Sequence, residues 1–107
     1  MRGEVKNVAE KDTEQYLRDE VKKALGRAYK FTSPGNAGVP DRIVLLPGGR
    51  IVFVELKAKG KKSTPLQLAQ QKRIAGLGFE VIVIDSKQGV DSLFEQDTVL
   101  GQEVMPL

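Results

Sequence analysis

Pro40-Asp41-Arg42-Ile43-Val44-Leu45-Leu46-Pro47-Gly48-Gly49-Arg50-Ile51-Val52-Phe53-Val54-Glu55-Leu56-Lys57 is the stretch on which the fold turns. Two runs rich in β-branched residues, 41–46 and 50–58, flank Pro47-Gly48-Gly49, where the glycine pair suits a turn with positive φ. The pattern predicts a β-hairpin. Side chains alternate along a strand, so Ile51, Phe53, Glu55 and Lys57 share one face and Val52, Val54 and Leu56 the other. Both faces are apolar until Glu55, which predicts a central strand covered on both sides. A carboxylate at the end of such a strand needs a compensating partner, because burying an unpaired charge is costly.

Upstream, a helix is expected from about Thr13 to Leu25, with Asp12 as N-cap and Gln15 completing a capping box. Tyr16, Leu17, Val21, Ala24 and Leu25 form its apolar stripe, and Gly26 fits the left-handed position beyond its end. Residues 1–10 read as a loose polar tail. A short strand at 28–32 precedes the loop Ser33-Pro34-Gly35-Asn36-Ala37-Gly38-Val39-Pro40, whose glycines and prolines break regular structure.

Downstream of the hairpin comes the basic loop Lys59-Gly60-Lys61-Lys62-Ser63, then a helix with Thr64 as N-cap and Pro65 at its first position. Leu66, Ala69, Ile74 and Leu77 are its expected inner stripe, and Gly78 its stop. A strand at 80–85 and a short helix near 90–95 follow, with residues 98–107 unassigned. The order is α-β-β-β-α-β, an α/β arrangement with helices flanking a mixed sheet. At 107 residues the chain is expected to be a single domain.

Composition narrows the chemistry. The chain contains no histidine and no cysteine, which removes thiolate zinc sites, Ser-His-Asp and Cys-His hydrolases, and nucleases with a histidine base. A metal site here must use oxygen ligands, which favours Mg²⁺ or Mn²⁺. The net charge of +3 is a weak pointer to a polyanion. No apolar run is long enough to cross a bilayer and the N-terminus lacks a secretory pattern, so no membrane partner and a cytoplasmic setting are expected.

Acid-x-Lys strings occur at Glu4, Glu20, Glu55 and Asp85. The Glu55-Leu56-Lys57 string combines a buried strand, a shared face and an upstream Asp41 at the start of the neighbouring strand. Asp41 and Glu55 are expected to converge on one cation, with the Leu56 carbonyl as a further ligand. Such an ion acidifies a water and stabilises charge on a reacting phosphate. Lys57 is placed to orient that water and neutralise developing charge, its plainer reading being a salt bridge to Glu55 or Asp41. Glu14 either points toward the sheet or simply sits at the positive end of the helix dipole. Gln67 either completes a capping box with Thr64 or reaches toward the reacting phosphate. Lys59, Lys61 and Lys62 either grip backbone phosphates or form a solvated charge run.

These residues, together with Tyr29-Lys30-Phe31-Thr32-Ser33-Pro34-Gly35, Gly38-Val39-Pro40-Asp41-Arg42, Val54-Glu55-Leu56-Lys57 and Thr64-Pro65-Leu66-Gln67, resemble the virus-type replication-repair nuclease (VRR-NUC) domain of the PD-(D/E)xK superfamily. The resemblance spans 14–93. It implies a restriction-endonuclease-like αβββαβ core and Mg²⁺- or Mn²⁺-dependent phosphodiester hydrolysis. By motif position Asp41 and Glu55 would be metal ligands, Lys57 the catalytic lysine, Gln67 the glutamine of the following helix and Glu14, or Glu20, the first-helix acid and a further ligand. Ser33 and Arg42, with Lys59, Lys61 and Lys62, would contact DNA. Stand-alone members imply a homodimeric enzyme on branched DNA such as four-way junctions, of phage or prophage origin in a bacterial host. Two alternatives stand beside it: a flap or single-strand nuclease in a replication or repair complex, and a non-catalytic nucleic-acid-binding module.

Overall fold

The computed structural model describes the backbone of residues 8–104 and the side chains of residues 9–95. The expectations for residues 1–7 and 105–107 lie outside the described residues. The elements are α1 (Val8–Lys23), β1 (Arg27–Lys30), β2 (Arg42–Leu46), β3 (Arg50–Leu56), α2 (Pro65–Gly76), β4 (Glu80–Ile84) and α3 (Lys87–Val104). The αβββαβ order is present, with a last helix longer than the short one expected near 90–95.

The four strands form one sheet in the order β1-β2-β3-β4. β1, β2 and β3 are antiparallel neighbours, while β4 joins β3 in parallel after the α2 crossover. The hairpin turn closes through the Gly49 N–H to the Leu46 carbonyl at 3.2 Å, with Gly48 at φ 88° and Gly49 at φ 86°. Those values favour glycine because a Cβ there would crowd the backbone.

One sheet face carries the core. Val44, Leu46, Val52, Val54, Leu56 and Ile84 pack there against Leu17 and Val21 of α1 and Val90 and Leu93 of α3. Arg50 ties this side together at its edge, with Nε and Nη2 donating to the two Glu80 carboxylate oxygens (2.8 and 2.9 Å) and Nη1 to the Leu93 carbonyl (2.8 Å). The opposite face departs from the expectation of a strand covered on both sides. Ile51 and Leu45 are exposed, and Phe53 is half-buried between Phe31 and Phe79 at ring distances of 5.8 and 5.9 Å. α2 packs on β4 and leaves the β1–β3 part of this face open.

Three further expectations are corrected. α1 starts at Val8, so Asp12 lies inside it, and the Thr13 hydroxyl donates back to the Ala9 carbonyl (3.0 Å). Leu25, rather than Gly26, takes the left-handed conformation (φ 66°), and its side chain is 85% exposed instead of joining the stripe. The Gly26 N–H donates to the Val21 carbonyl and the Leu25 N–H to the Lys22 carbonyl, both at 2.9 Å, which is a Schellman closure. Gly26 is required for space: a Cβ there would lie 2.4 Å from the Leu45 carbonyl oxygen.

The stripe expected for α2 is also displaced. Leu66, Ala69 and Leu77 are exposed, whereas Gln70 is buried and Gln67, Gln71 and Ile74 are half-buried. The inward glutamines serve polar neighbours. Gln70 Nε2 donates to the Ala37 carbonyl (3.3 Å) and Gln71 Nε2 to Ser63 Oγ (3.0 Å). α2 therefore packs over polar groups, the Ala37 carbonyl and the Ser63 hydroxyl, which an apolar stripe would leave without these partners.

Leu25→Gly should stabilise the protein by about 1 kcal/mol, because it relieves a left-handed leucine with little packing to lose. Gly26→Ala should cost about 1–3 kcal/mol by forcing β2 away from the helix end. Urea titrations of both variants check the pair, and equal effects would contradict this assignment of the two positions.

Candidate active site

The site is built where the β2–β3 ladder runs out. Its last described pair at that end is Arg42 with Val54. One residue beyond, on the open face, come Asp41 and Glu55. Asp41 is fixed twice: its carbonyl accepts from the Phe31 N–H (2.8 Å), and its Oδ2 accepts from the Leu56 N–H (2.8 Å). A side-chain carboxylate thus takes the place of the next ladder acceptor. Pro40, which has no N–H to satisfy, is buried just before it.

Glu55 is 2% exposed. Its Oε2 accepts from Gln67 Nε2 (3.1 Å) and lies 3.7 Å from Lys57 Nζ. Its Oε1 is buried and receives no N–H or hydroxyl donor among the described residues, and when protonated the Glu55 carboxyl shares a hydrogen bond with the Asp41 carboxyl. Burial, and then the neighbouring Asp41 carboxylate, push the Glu55 carboxyl up to about 7, with the Lys57 ammonium opposing the shift. The Lys57 contact is too long for a hydrogen bond, so its ammonium protons remain directed by charge alone.

Gln67 fulfils both of its readings at once. Its Oε1 accepts from the Thr64 N–H (2.9 Å) and its N–H donates to Thr64 Oγ (3.2 Å), completing the capping box, while Nε2 holds Glu55. The helix cap and the carboxylate position are therefore one device.

These groups open into a cavity of about 450 Å³ lined by Glu10, Asp41, Glu55, Lys57, Lys61, Lys62 and Gln67, with Leu56 and Ala58. The sequence-predicted set is gathered only in part. Glu14 is held elsewhere: Arg42 Nη2 and Nε donate to its Oε2 at 2.8 and 3.0 Å, and Arg42 Nη1 donates to the Ala28 carbonyl (2.9 Å). Arg42 lies on the core face and clamps α1 to the sheet, a structural task that places it away from the expected DNA contact. Glu20 pairs with Lys23 (3.0 Å). Ser33 stands in a turn, where its Oγ accepts from Asn36 Nδ2 (2.9 Å). Lys59 is exposed beside the cavity loop and does not line it.

Glu10 of α1 lines the cavity, where Glu14 was expected. It lies one helical turn before Glu14, in a segment read as a loose tail. Continuing the Leu17–Val21 spacing backward through Thr13 and Glu10 would have found it.

A divalent cation fits this donor set. Glu55 Oε1 is an orphaned buried acceptor next to a second carboxylate, and both are oxygen ligands of the kind Mg²⁺ and Mn²⁺ prefer. Among the described residues no three acidic side chains cluster closely enough to hold an ion by themselves. The remaining positions would fall to the Leu56 carbonyl, water and substrate oxygens.

Two solved structures share this fold. A solved structure described as "VRR_NUC domain" superposes with a TM-score of 0.78 at 33% identity, covering 83% of this chain and 97% of its own. A second, "VRR_NUC domain protein", superposes at 0.66 with 20% identity, covering 85% and 88%, and shows the shared fold. No protein-family model matches the chain. The fold and the comparison together define an α/β nuclease domain of restriction-endonuclease-like type. The chain belongs to the VRR-NUC family. It is also 54% identical over 80 residues to a protein named "Putative nuclease p44" of Acyrthosiphon pisum secondary endosymbiont phage 1, covering 75% of this chain and 86% of that one.

The raised Glu55 carboxyl has a stability consequence. The unfolded chain releases this proton near pH 4.5 and the folded chain near 7, so the stabilisation is complete below about pH 4.5 and lost as pH rises through 7. In EDTA, Glu55→Gln should match the wild type near pH 4 and exceed it by roughly 3 kcal/mol at pH 8. Thermal melts across that range check it, and a difference independent of pH would contradict the assignment.

Proposed function

We propose that the protein is a Mg²⁺- or Mn²⁺-dependent DNA endonuclease that cuts branched DNA, four-way junctions foremost, as a homodimer. The observation that carries this reading is the orphaned, buried Glu55 Oε1 beside Asp41, in a cavity rimmed by Lys57, Lys61 and Lys62. Two acids that would repel at neutral pH, surrounded by amines, suit a cation and a phosphodiester together.

Asp41 and Glu55 would hold the metal, with the Leu56 carbonyl beside them. When bound, the cation would supply a Lewis acid that lowers the pKa of water and offsets charge on the phosphate. Asp41 is anchored by the Leu56 N–H, so its carboxylate is held without a rotamer search. Gln67 fixes the Glu55 carboxylate through Nε2. Lys57, ion-paired but not hydrogen-bonded to Glu55, can donate to a phosphate oxygen or hold the attacking water in line. Lys61 and Lys62 can draw the flanking phosphates to the rim.

Self-association is supported by the open sheet face, where Leu45, Ile51 and Phe79 are exposed near one another on the side that carries the site. A two-fold pair would present two cavities to two strands of a junction. The phage relative supports a setting in a bacterial host cell. No helix among the described residues is long and apolar enough to cross a membrane.

The test is a panel of four-way junction, flap, single strand, nick and plain duplex, with Mg²⁺, Mn²⁺ or EDTA. Asp41→Ala and Glu55→Ala should each lose at least a hundredfold in cutting, Lys57→Ala a similar amount, with all three variants folded. Preferred cutting of flaps or single strands would replace the junction assignment. DNA binding with no cutting of any substrate would leave a binding module, and undiminished cutting by Glu55→Ala would refute the site.

A further inference from the structure

Some of the cations that the fold does not pair gather on one part of the surface. Arg42, Arg50, Lys23 and Lys57 are held by carboxylates, and Lys87 Nζ lies 5.5 Å over the Tyr16 ring. The side chains of Lys30, Lys59, Lys61, Lys62 and Lys72 are exposed with no ion pair or hydrogen bond among the described residues, and so are those of four others, Lys11, Arg18, Lys22 and Arg27. Three of the four stand on the outer face of α1 at helical spacing, positions 11, 18 and 22. Arg18 and Lys22 form one wall of a groove of about 340 Å³, and Arg27 and Tyr29 of β1 form the other. The groove's acid, Asp19, has its Oδ1 occupied by Gln15 Nε2 (3.0 Å), which blunts its repulsion of an anion.

We propose that this groove is a second DNA-contacting site, one that takes the phosphodiester backbone of a substrate arm away from the scissile bond. The inference rests on the DNA-endonuclease reading above. α1 connects the two sites: Glu10 lines the catalytic cavity, and Arg18 and Lys22 line the groove. The ten residues from Glu10 to the middle of that pair span about 15 Å of helix. A strand rising 3.4 Å per nucleotide covers that distance in about four or five phosphates. The groove thus holds an arm at a fixed offset from the cut. Its contribution is to affinity and arm placement, while the catalytic step belongs to the cavity.

The experiment uses Arg18→Ala/Lys22→Ala/Arg27→Ala in the full chain, with Lys72→Ala as a control for simple loss of charge at an exposed site. On a substrate with long arms the triple variant should show KM raised about tenfold and kcat unchanged. The slope of log binding against log salt, measured in EDTA, should fall by about 0.9 for each lost contact, and Lys72→Ala should leave it unchanged. A substrate whose arm ends within about three base pairs of the cut should be handled equally by wild type and triple variant. Unchanged KM and slope on long arms, in a wild type that does cut, would overturn the groove and leave the nuclease reading intact. Failure of the wild type to cut any DNA would sink that reading, and the salt slope would still report on the groove. A triple variant that turns monomeric with its salt slope unchanged would assign the groove to protein contact and overturn the proposal.

Discussion

The hydrogen bond from the Leu56 N–H to Asp41 Oδ2 holds the site together. At 2.8 Å it substitutes a side chain for a backbone acceptor just where the β2–β3 ladder ends. It fixes Asp41 on the same face as Glu55, one step beyond the last pair, where its carboxylate lines the cavity. Without it the end of β2 would fray into the preceding Gly/Pro loop. The two carboxylates would then relax apart, because like charges in a poorly solvated site repel. Burial of Glu55 follows from the same register: β4 runs parallel to β3 on its other side, and Gln67 closes over it from α2.

Glutamines do the work that apolar residues usually do in a helix lying on a sheet. α2 turns Gln67, Gln70 and Gln71 inward, each to a polar acceptor. Gly38 makes the close approach possible, since a Cβ there would lie 2.9 Å from the Leu66 carbonyl oxygen. The result is a crossover helix whose position is set by directional bonds to the cavity edge and its loop. Such bonds locate a side chain within tenths of an ångström, which apolar contact alone does not. The protein accepts an orphaned carboxylate oxygen in exchange, a cost borne by the apolar core on the other face.

That division between faces organises the whole molecule. α1 and α3 cover one side with Leu17, Val21, Val90 and Leu93, while the side bearing the cavity keeps Leu45, Ile51 and Phe79 exposed. Charge is divided similarly. Arg42 and Arg50 are spent as clamps on the core face, and the lysines of the loop after β3 remain at the cavity mouth.

The hairpin, the Pro65 helix start and the Asp41–Glu55–Lys57 grouping were legible in the sequence because each rests on local rules: alternation along a strand, turn chemistry, and the fixed side-chain direction of every second residue. Gln67 was half legible, since a capping box is local but its bond to Glu55 spans two elements. Glu14 does point toward the sheet, but its partner there, Arg42, could not be read from spacing, because a charge pair across two elements forms wherever packing brings it together. Glu10, the open sheet face and the inward glutamines of α2 were decided by tertiary structure, because they depend on where α2 and α1 cross the sheet. The sequence by itself determined the order of elements and the acids on the hairpin; how far each helix covers the sheet, and hence which charges are used as clamps and which remain available, is a property of long-range packing that no local pattern encodes.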